Sequence, residues 1–282
     1  MEPLTDLLTD HKIPVGHTAK LAFDWLKGHG APLFDAAATA LDSLIGGIQA
    51  ALDLPHPLLF TALAVALTWL TRRSVAMCAL TGAGFLFILN QGYWDETMQS
   101  LTLVLAAGLV CMAVGVPIGI AAAHRPRLYR VMQPVLDLMQ TLPSFVYLIP
   151  AIVFFGIGMV PGLIATVIFV LPAPIRLTHL GIVSTPTPLI EAARAFGATR
   201  HQLLWKVELP SAMPQIMAGL NQTIMLSLSM VVIAALVGAS GLGVPVVRAL
   251  NSVNTALGFE SGIVIVVVAI ILDRVLSLER SK

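Results

Sequence analysis

Apolar and polar positions divide the chain into a mixed lead, a long apolar body and one polar interruption. Seven apolar segments run at about 57–71, 74–90, 97–123, 132–157, 160–183, 212–238 and 260–278. A helix needs roughly 17–25 apolar residues to cross a bilayer, so the first of these segments is short and could be re-entrant. Before them, residues 1–56 place Phe23, Leu26, Phe34, Leu41, Ile45 and Ile48 at helical spacings. Asp24, Asp35 and Asp42 interrupt that stripe. The pattern predicts one or two amphipathic helices, lying on a membrane surface or packed on the chain's own apolar body. The expected fold is all-α.

Composition agrees. Hydrophobic residues make up 57% of the chain and charged residues 11%, against about 25% charged in an ordinary soluble domain. Such a chain needs lipid as a solvent for its outer faces. The net charge of +1 gives no reason to expect nucleic acid as a partner. Acidic residues at Glu2, Asp6, Asp10 and Asp24 argue against a cleavable signal peptide. Cys78 and Cys111 lie in apolar stretches and read as small hydrophobes. No histidine has metal-ligand spacing, and no cofactor is expected.

Basic residues orient the segments, because short cytoplasmic loops concentrate Lys and Arg. With the N-terminus outside, the inside receives Arg72, Arg73, Arg125, Arg127, Arg130, Arg176, Arg194, Arg200, Lys206, Arg274, Arg280 and Lys282, twelve of the sixteen basic residues. The reverse orientation inverts that bias. Tyr93 and Trp94 in the outer loop at 91–96 suit an interfacial aromatic belt. Pro117, Pro134, Pro143, Pro150, Pro161, Pro172 and Pro174 punctuate the core segments. A mid-helix proline frees a backbone carbonyl that lipid cannot satisfy, so a set of prolines in or beside the spans favours a transporter over a simple anchor. Gly115-x-x-x-Gly119 and Gly158-x-x-x-Gly162 permit close helix approach.

The polar interruption at 184–211 reads STPTPLIEAARAFGATRHQLLWKVELPS, and the charge bias puts it inside. Thr187 is expected as an N-cap with Pro188 at the first helical position. Gly197 can take a positive φ and end this helix. Thr199 and Gln202 fit a capping box that opens a second helix, with Pro210 as its limit and Glu208 on its polar face.

Glu191-Ala192-Ala193, three residues, Gly197, nine residues, then Val207-x-Leu209-Pro210 resembles the EAA loop of ABC importer permeases, with Val207 at the usual Ile position. Met139 to Pro150 and Ala218 to Ala234 are similar to stretches of glycine betaine/L-proline and choline permeases, and the likeness spans roughly 97–275. It implies a permease domain over 57–282, with two helices ahead of a five-helix type I importer core and 1–56 as an added segment. It also implies a homodimer in the cytoplasmic membrane, two ATP-binding subunits docked on the two loops, and an extracytoplasmic substrate-binding protein. The docking residues are then Glu191, Ala192, Ala193, Gly197, Leu209 and Pro210.

Gly is nowhere followed by Lys, so the chain lacks the phosphate loop of an ATPase and is expected to be a non-catalytic subunit. Polar residues inside apolar segments, Gln140, Thr141, Ser144, Asn221, Thr223 and Ser227, together with Tyr147, are candidates for a substrate path. The competing class is a secondary transporter or channel without an ATPase, which has no need of the EAA spacing. A membrane enzyme needs a clustered nucleophile, base or metal set, and the sequence shows none.

Overall fold

The computed structural model describes residues 14–276, and among them the regular structure is entirely helical. A single helix α1, Val15–Asp53, is followed by α2 (Pro57–Arg72) and α3 (Val75–Asn90). The longest apolar helix is α4, Trp94–His124. Then come α5 (Pro126–Thr141), α6 (Phe145–Phe155), α7 (Met159–Val170) and α8 (Pro172–Val183). The polar interruption forms α9 (Thr187–Ala195), α10 (Arg200–Leu203) and a π-turn at Leu204–Glu208. The chain ends in α11 (Leu209–Ala235), α12 (Gly243–Ser252) and α13 (Thr255–Leu276).

Four described helical units are long and apolar enough to cross a membrane: α4, Met159–Val183, Arg200–Ala235 and Thr255–Val275. Counting each bent pair as one span raises this to six. Over their described residues all seven apolar segments are mainly helical, but 57–71 and 74–90 become helices of 16 residues each. Segment 132–157 is not one rod. It breaks at Leu142–Ser144 into α5 and α6, bent by 98°. Pro143 has no N–H for the carbonyl of Met139, and the Tyr147 hydroxyl donates to that oxygen instead, at 2.6 Å. The bend thus keeps its freed carbonyl satisfied in an apolar setting.

The N-terminal stripe forms one continuous helix of 39 residues, about 58 Å long at 1.5 Å per residue, and Pro32 does not end it. Its second half packs on the apolar body, with Ile45 buried beside Met98 and Val104. Gln49 Oε1 accepts a 2.7 Å hydrogen bond from Thr102, and Phe34 stacks on Phe154 at 4.5 Å. Leu21, Trp25 and Leu33 on the first half are exposed. The earliest lead residues, 1–13, lie outside the described residues.

At the centre, α4, α8 and α11 meet through small residues. A Cβ on Gly115 would stand 2.8 Å from Pro174 Cγ, and one on Gly119 2.8 Å from the Ile175 carbonyl oxygen. Gly181 faces Ala212, and Gly219 faces Pro174 and Leu177. With no hydrophobic effect to drive association in lipid, such close backbone approach is what holds helices together. Gly162 is likewise a packing position, against Ala234 and Ala239. Gly158 instead serves a turn at φ 142°, and its N–H donates to the Val237 carbonyl at 2.9 Å.

Candidate coupling loop and polar core positions

The polar interruption folds as two helices hinged at Gly197. Pro186 occupies the N-cap position of α9, and no side chain caps the helix. Thr187 is therefore already helical and does not cap, a shift of one residue from expectation. Pro188 still falls in the first turn, where its missing N–H costs nothing. Gly197 has φ 79°, and its N–H donates to the Arg194 carbonyl at 2.9 Å. Ala198 N–H reaches back to Ala193 O at 3.0 Å, closing the C-terminal turn. Thr199 and Gln202 form the full reciprocal capping box.

Pro210 does not terminate the second helix. Arg200–Ala235 is one rod of 36 residues. The rod widens into a π-turn at Leu204–Glu208, immediately ahead of Pro210. The wider turn accommodates a ring that an α-helical interior would reject. An exposed loop is therefore mechanically continuous with a membrane-crossing helix.

No residue of α9 is buried. Glu191, Ala192 and Gly197 are exposed, and Ala193 is half-buried. Phe196 is 91% exposed at the bend, an unusual place for a large ring without a partner. Leu209 and Pro210 line an apolar groove of about 930 Å³ with Val116, Pro117, Trp205 and Met213. They lie apart from the exposed Glu-Ala-Ala face, where the loop meets the span.

Glu208 departs from expectation. It is buried, 7% exposed, and its Oε2 lies 2.8 Å from His124 Nε2 at the end of α4. No spacing in the sequence marks His124. The separation of 84 residues explains why no local pattern announces the pair.

The candidate path residues fall into two sets. Gln140, Thr141, Ser144 and Tyr147 surround the α5–α6 bend. Gln140 and Ser144 are half-buried and Thr141 exposed, whereas Tyr147 is buried with its hydroxyl on the α5 carbonyls. The second set lies on α11. Thr223 and Ser227 are fully buried and donate to the carbonyls of Gly219 and Thr223, each at 2.7 Å. Asn221 donates to Asp273 of α13 at 3.2 Å. Tyr147 packs on Ala165 and Val237, so the first set meets α7 and the chain just beyond α11. The uncovered face of α11 carries Ala218, Gln222 and Ser229.

At the other end of α4 a pocket of about 320 Å³ is lined by Tyr93, Glu96, Gln99, Ser240 and Arg248. Burial first, then the Glu260 and Glu96 carboxylates, push the Tyr93 phenol up from its usual range. Nearby, the Leu242 N–H donates to Ser100 Oγ at 2.8 Å, tying the start of α12 to α4.

The family model described as binding-protein-dependent transport system inner membrane component matches residues 115–278. The glycine betaine transport system permease protein OpuAB of Bacillus subtilis is 48% identical over 265 residues, 94% of this chain and 93% of that protein. The glycine betaine/proline betaine transport system permease protein ProW of Escherichia coli is 44% identical over 263 residues, 93% of this chain and 74% of that protein. Among solved structures, an inward-facing MetNI methionine ABC transporter aligns with a TM-score of 0.57 at 24% identity, covering 66% of this chain and 92% of that chain. That likeness is one of fold.

Proposed function

The chain belongs to the family of binding-protein-dependent transport system inner membrane components, multi-pass permease subunits of ABC importers, and from that premise we propose that it carries glycine betaine or a closely related quaternary-ammonium osmoprotectant. The observation that carries the proposal is the rod Arg200–Ala235. It makes an exposed, glycine-hinged loop continuous with a span buried at the centre of the helix bundle. A partner that moves the loop must therefore move the span. The substrate class rests on the relatives named for glycine betaine, proline betaine and carnitine.

In this reading a separate ATP-binding subunit docks on α9 and the bend, through Glu191, Ala192, Ala193 and Gly197. Leu209 and Pro210 form the joint that passes the movement inward. Two copies of the chain, each with one ATPase, enclose the path, and a binding protein delivers substrate from outside. The permease domain is 57–282, with 1–56 as an added N-terminal element.

The N-terminus is outside and the C-terminus inside. The clustering of basic ends supports this orientation: Arg72 donates to the Val275 carbonyl at 3.4 Å, and His124 meets Glu208 on the loop side. The uncovered face with Gln222 and Ser229 supports a path between two copies, reached by Asn221, Thr223 and Ser227 when α11 rotates. Gln140, Thr141, Ser144 and Tyr147 then line or shape the bend beside it. Large-scale exchange between inward- and outward-open states is a two-state equilibrium that ATP and substrate bias from opposite ends.

Co-purification tests the partner assignment. Co-expressed with its cognate ATP-binding subunit and binding protein, the chain is expected to retain the ATPase in detergent at equal stoichiometry. A transport-competent chain that never holds an ATPase contradicts the proposal and favours a secondary transporter.

A further inference from the structure

The link between Glu208 and His124 has no place in the docking motif, yet it is the one polar side-chain bridge between the segment 187–210 and the rest of the chain among the described residues. Its geometry is specific. His124 Nδ1 lies 2.9 Å from the Ile120 carbonyl oxygen, which can only accept, so Nδ1 carries a hydrogen. Nε2 faces the Glu208 carboxyl at 2.8 Å, within hydrogen-bond distance. With partners on both ring nitrogens, the imidazole is held in one orientation. His124 is also the last residue of α4, where the helix dipole favours positive charge.

Position gives the link its consequence. Glu208 is the final residue of the π-turn, between the hinge at Gly197 and the span. π-turns inside helices recur at functional sites, because they shift the register of everything that follows. Beside the link, the rod and α4 part around the groove of about 930 Å³ lined by Val116, Pro117, Trp205 and Leu209. Ile120 and Ala123 of α4 still pack with Leu204 and Leu209 of the rod around Ala212 and Ile216, and the polar link adds the one directional contact between the two helices there among the described residues. From His124, α4 runs 31 residues, about 46 Å at 1.5 Å per residue, to the far end of the bundle. There Ser100 of α4 accepts the Leu242 N–H at the start of α12. A Cβ on Gly241 beside it would meet Ser100 Oγ at 2.5 Å, so that end too is tightly seated.

We propose that His124 and Glu208 form a strut that transmits displacement of the docking loop directly into α4, in parallel with the covalent route into α11. The proposal rests on the docking role assigned to the loop. Both residues are positioning residues: neither touches nucleotide or substrate. Without the strut, α4 follows the loop only through apolar packing, and less of the displacement reaches it and α12 at the opposite face. ATP hydrolysis then proceeds with less substrate moved.

The test uses the complete complex of chain, ATPase and binding protein in proteoliposomes, reading glycine betaine transported per ATP hydrolysed. His124→Ala and Glu208→Ala are each expected to lower that ratio by about fivefold or more, the low end of ordinary coupling energies. The double variant should fall no further than the lower single one, because the two act as a unit. Glu208→Gln should stay near the unaltered ratio, since an amide can donate to Nε2 or accept from it. The reciprocal exchange His124→Glu with Glu208→His should recover part of the loss.

Single variants that keep the full ratio would overturn the strut, as would a double variant in which the two losses multiply. If Glu208→Ala fails to assemble, the half-exposed His124→Ala and the conservative Glu208→Gln still decide. The docking role fails separately: in that case the unaltered complex itself retains no ATPase and shows no substrate-stimulated hydrolysis.

Discussion

Gly197→Val is expected to abolish substrate-stimulated ATP hydrolysis while the chain still inserts and folds. Gly197 sits at φ 79°, and nothing lies within 4 Å of where its Cβ would be. The penalty is therefore conformational and not steric against neighbours. An L-residue in the left-handed region costs about 1–2 kcal/mol, and a β-branched one is a true outlier there. The hinge relieves that strain by rotating out of αL, which swings α9 relative to the rod that begins at Arg200. The exposed Glu191-Ala192-Ala193 face then no longer meets its partner. Because α9 buries no residue, the rest of the fold has little reason to respond. Gly197→Asn is the discriminating control: a short polar side chain tolerates αL, so this variant should keep most of the stimulated hydrolysis. Stimulation measured with substrate-loaded binding protein should fall by about tenfold or more for Val, as expected when a coupling energy of ordinary size is removed. Full stimulation in the Val variant would remove the hinge from the mechanism.

Gly119→Val has the opposite character, a large loss of folded protein with no specific effect on the loop. Its added Cβ would lie 2.7 Å from Thr178 Cβ and 2.8 Å from the Ile175 carbonyl oxygen. The second neighbour is backbone and cannot rotate away. α4 and α8 must separate, which strips contact from the most enclosed span, Met159–Val183, 61% of whose apolar window is buried. Overpacking of this kind costs about 1–3 kcal/mol and more where backbone must move. The expected readout is a sharp drop in monodisperse protein on detergent size-exclusion and a lowered Tm. Gly47→Ala, where nothing lies within 4 Å, should leave both unchanged. Equal yield and Tm for Gly119→Val would show that the α4–α8 approach is less tight than described.

What the sequence made legible, and what it did not, divides by range. The Gly197 hinge and the Thr199–Gln202 box follow from backbone rules spanning a few residues, and both are present. The apolar segments follow from hydropathy alone, and each is mainly helical over its described residues. Pro143 announced a perturbation but not its size. A proline in an apolar helix can kink mildly, and the 98° break depends on Tyr147 reaching the Met139 carbonyl. Pro210 read as a stop because an α-helical interior rejects it, and the π-turn before it changes that condition. Glu208 read as surface because its partner lies on another helix. The lead read as one or two helices, on the membrane or on the protein. Its docking depends on Gln49 meeting Thr102 and Phe34 meeting Phe154, pairings with no local signature.

Among the candidate site residues, Thr223 and Ser227 illustrate a further limit. Sequence marks them as polar groups in an apolar helix. The structure gives their hydroxyls to carbonyls one turn back, a role available to any buried Ser or Thr. A polar residue in a span thus signals a need for a partner before it signals a path.

The central claim is that this chain moves substrate only when an ATPase drives its exposed loop. Uptake of labelled glycine betaine into proteoliposomes measures it directly, comparing the complete complex with the chain and binding protein alone, with and without ATP. Accumulation is expected only in the complete complex, with ATP present on the side of the exposed loop. Accumulation by the chain and binding protein without ATPase or ATP would contradict that claim.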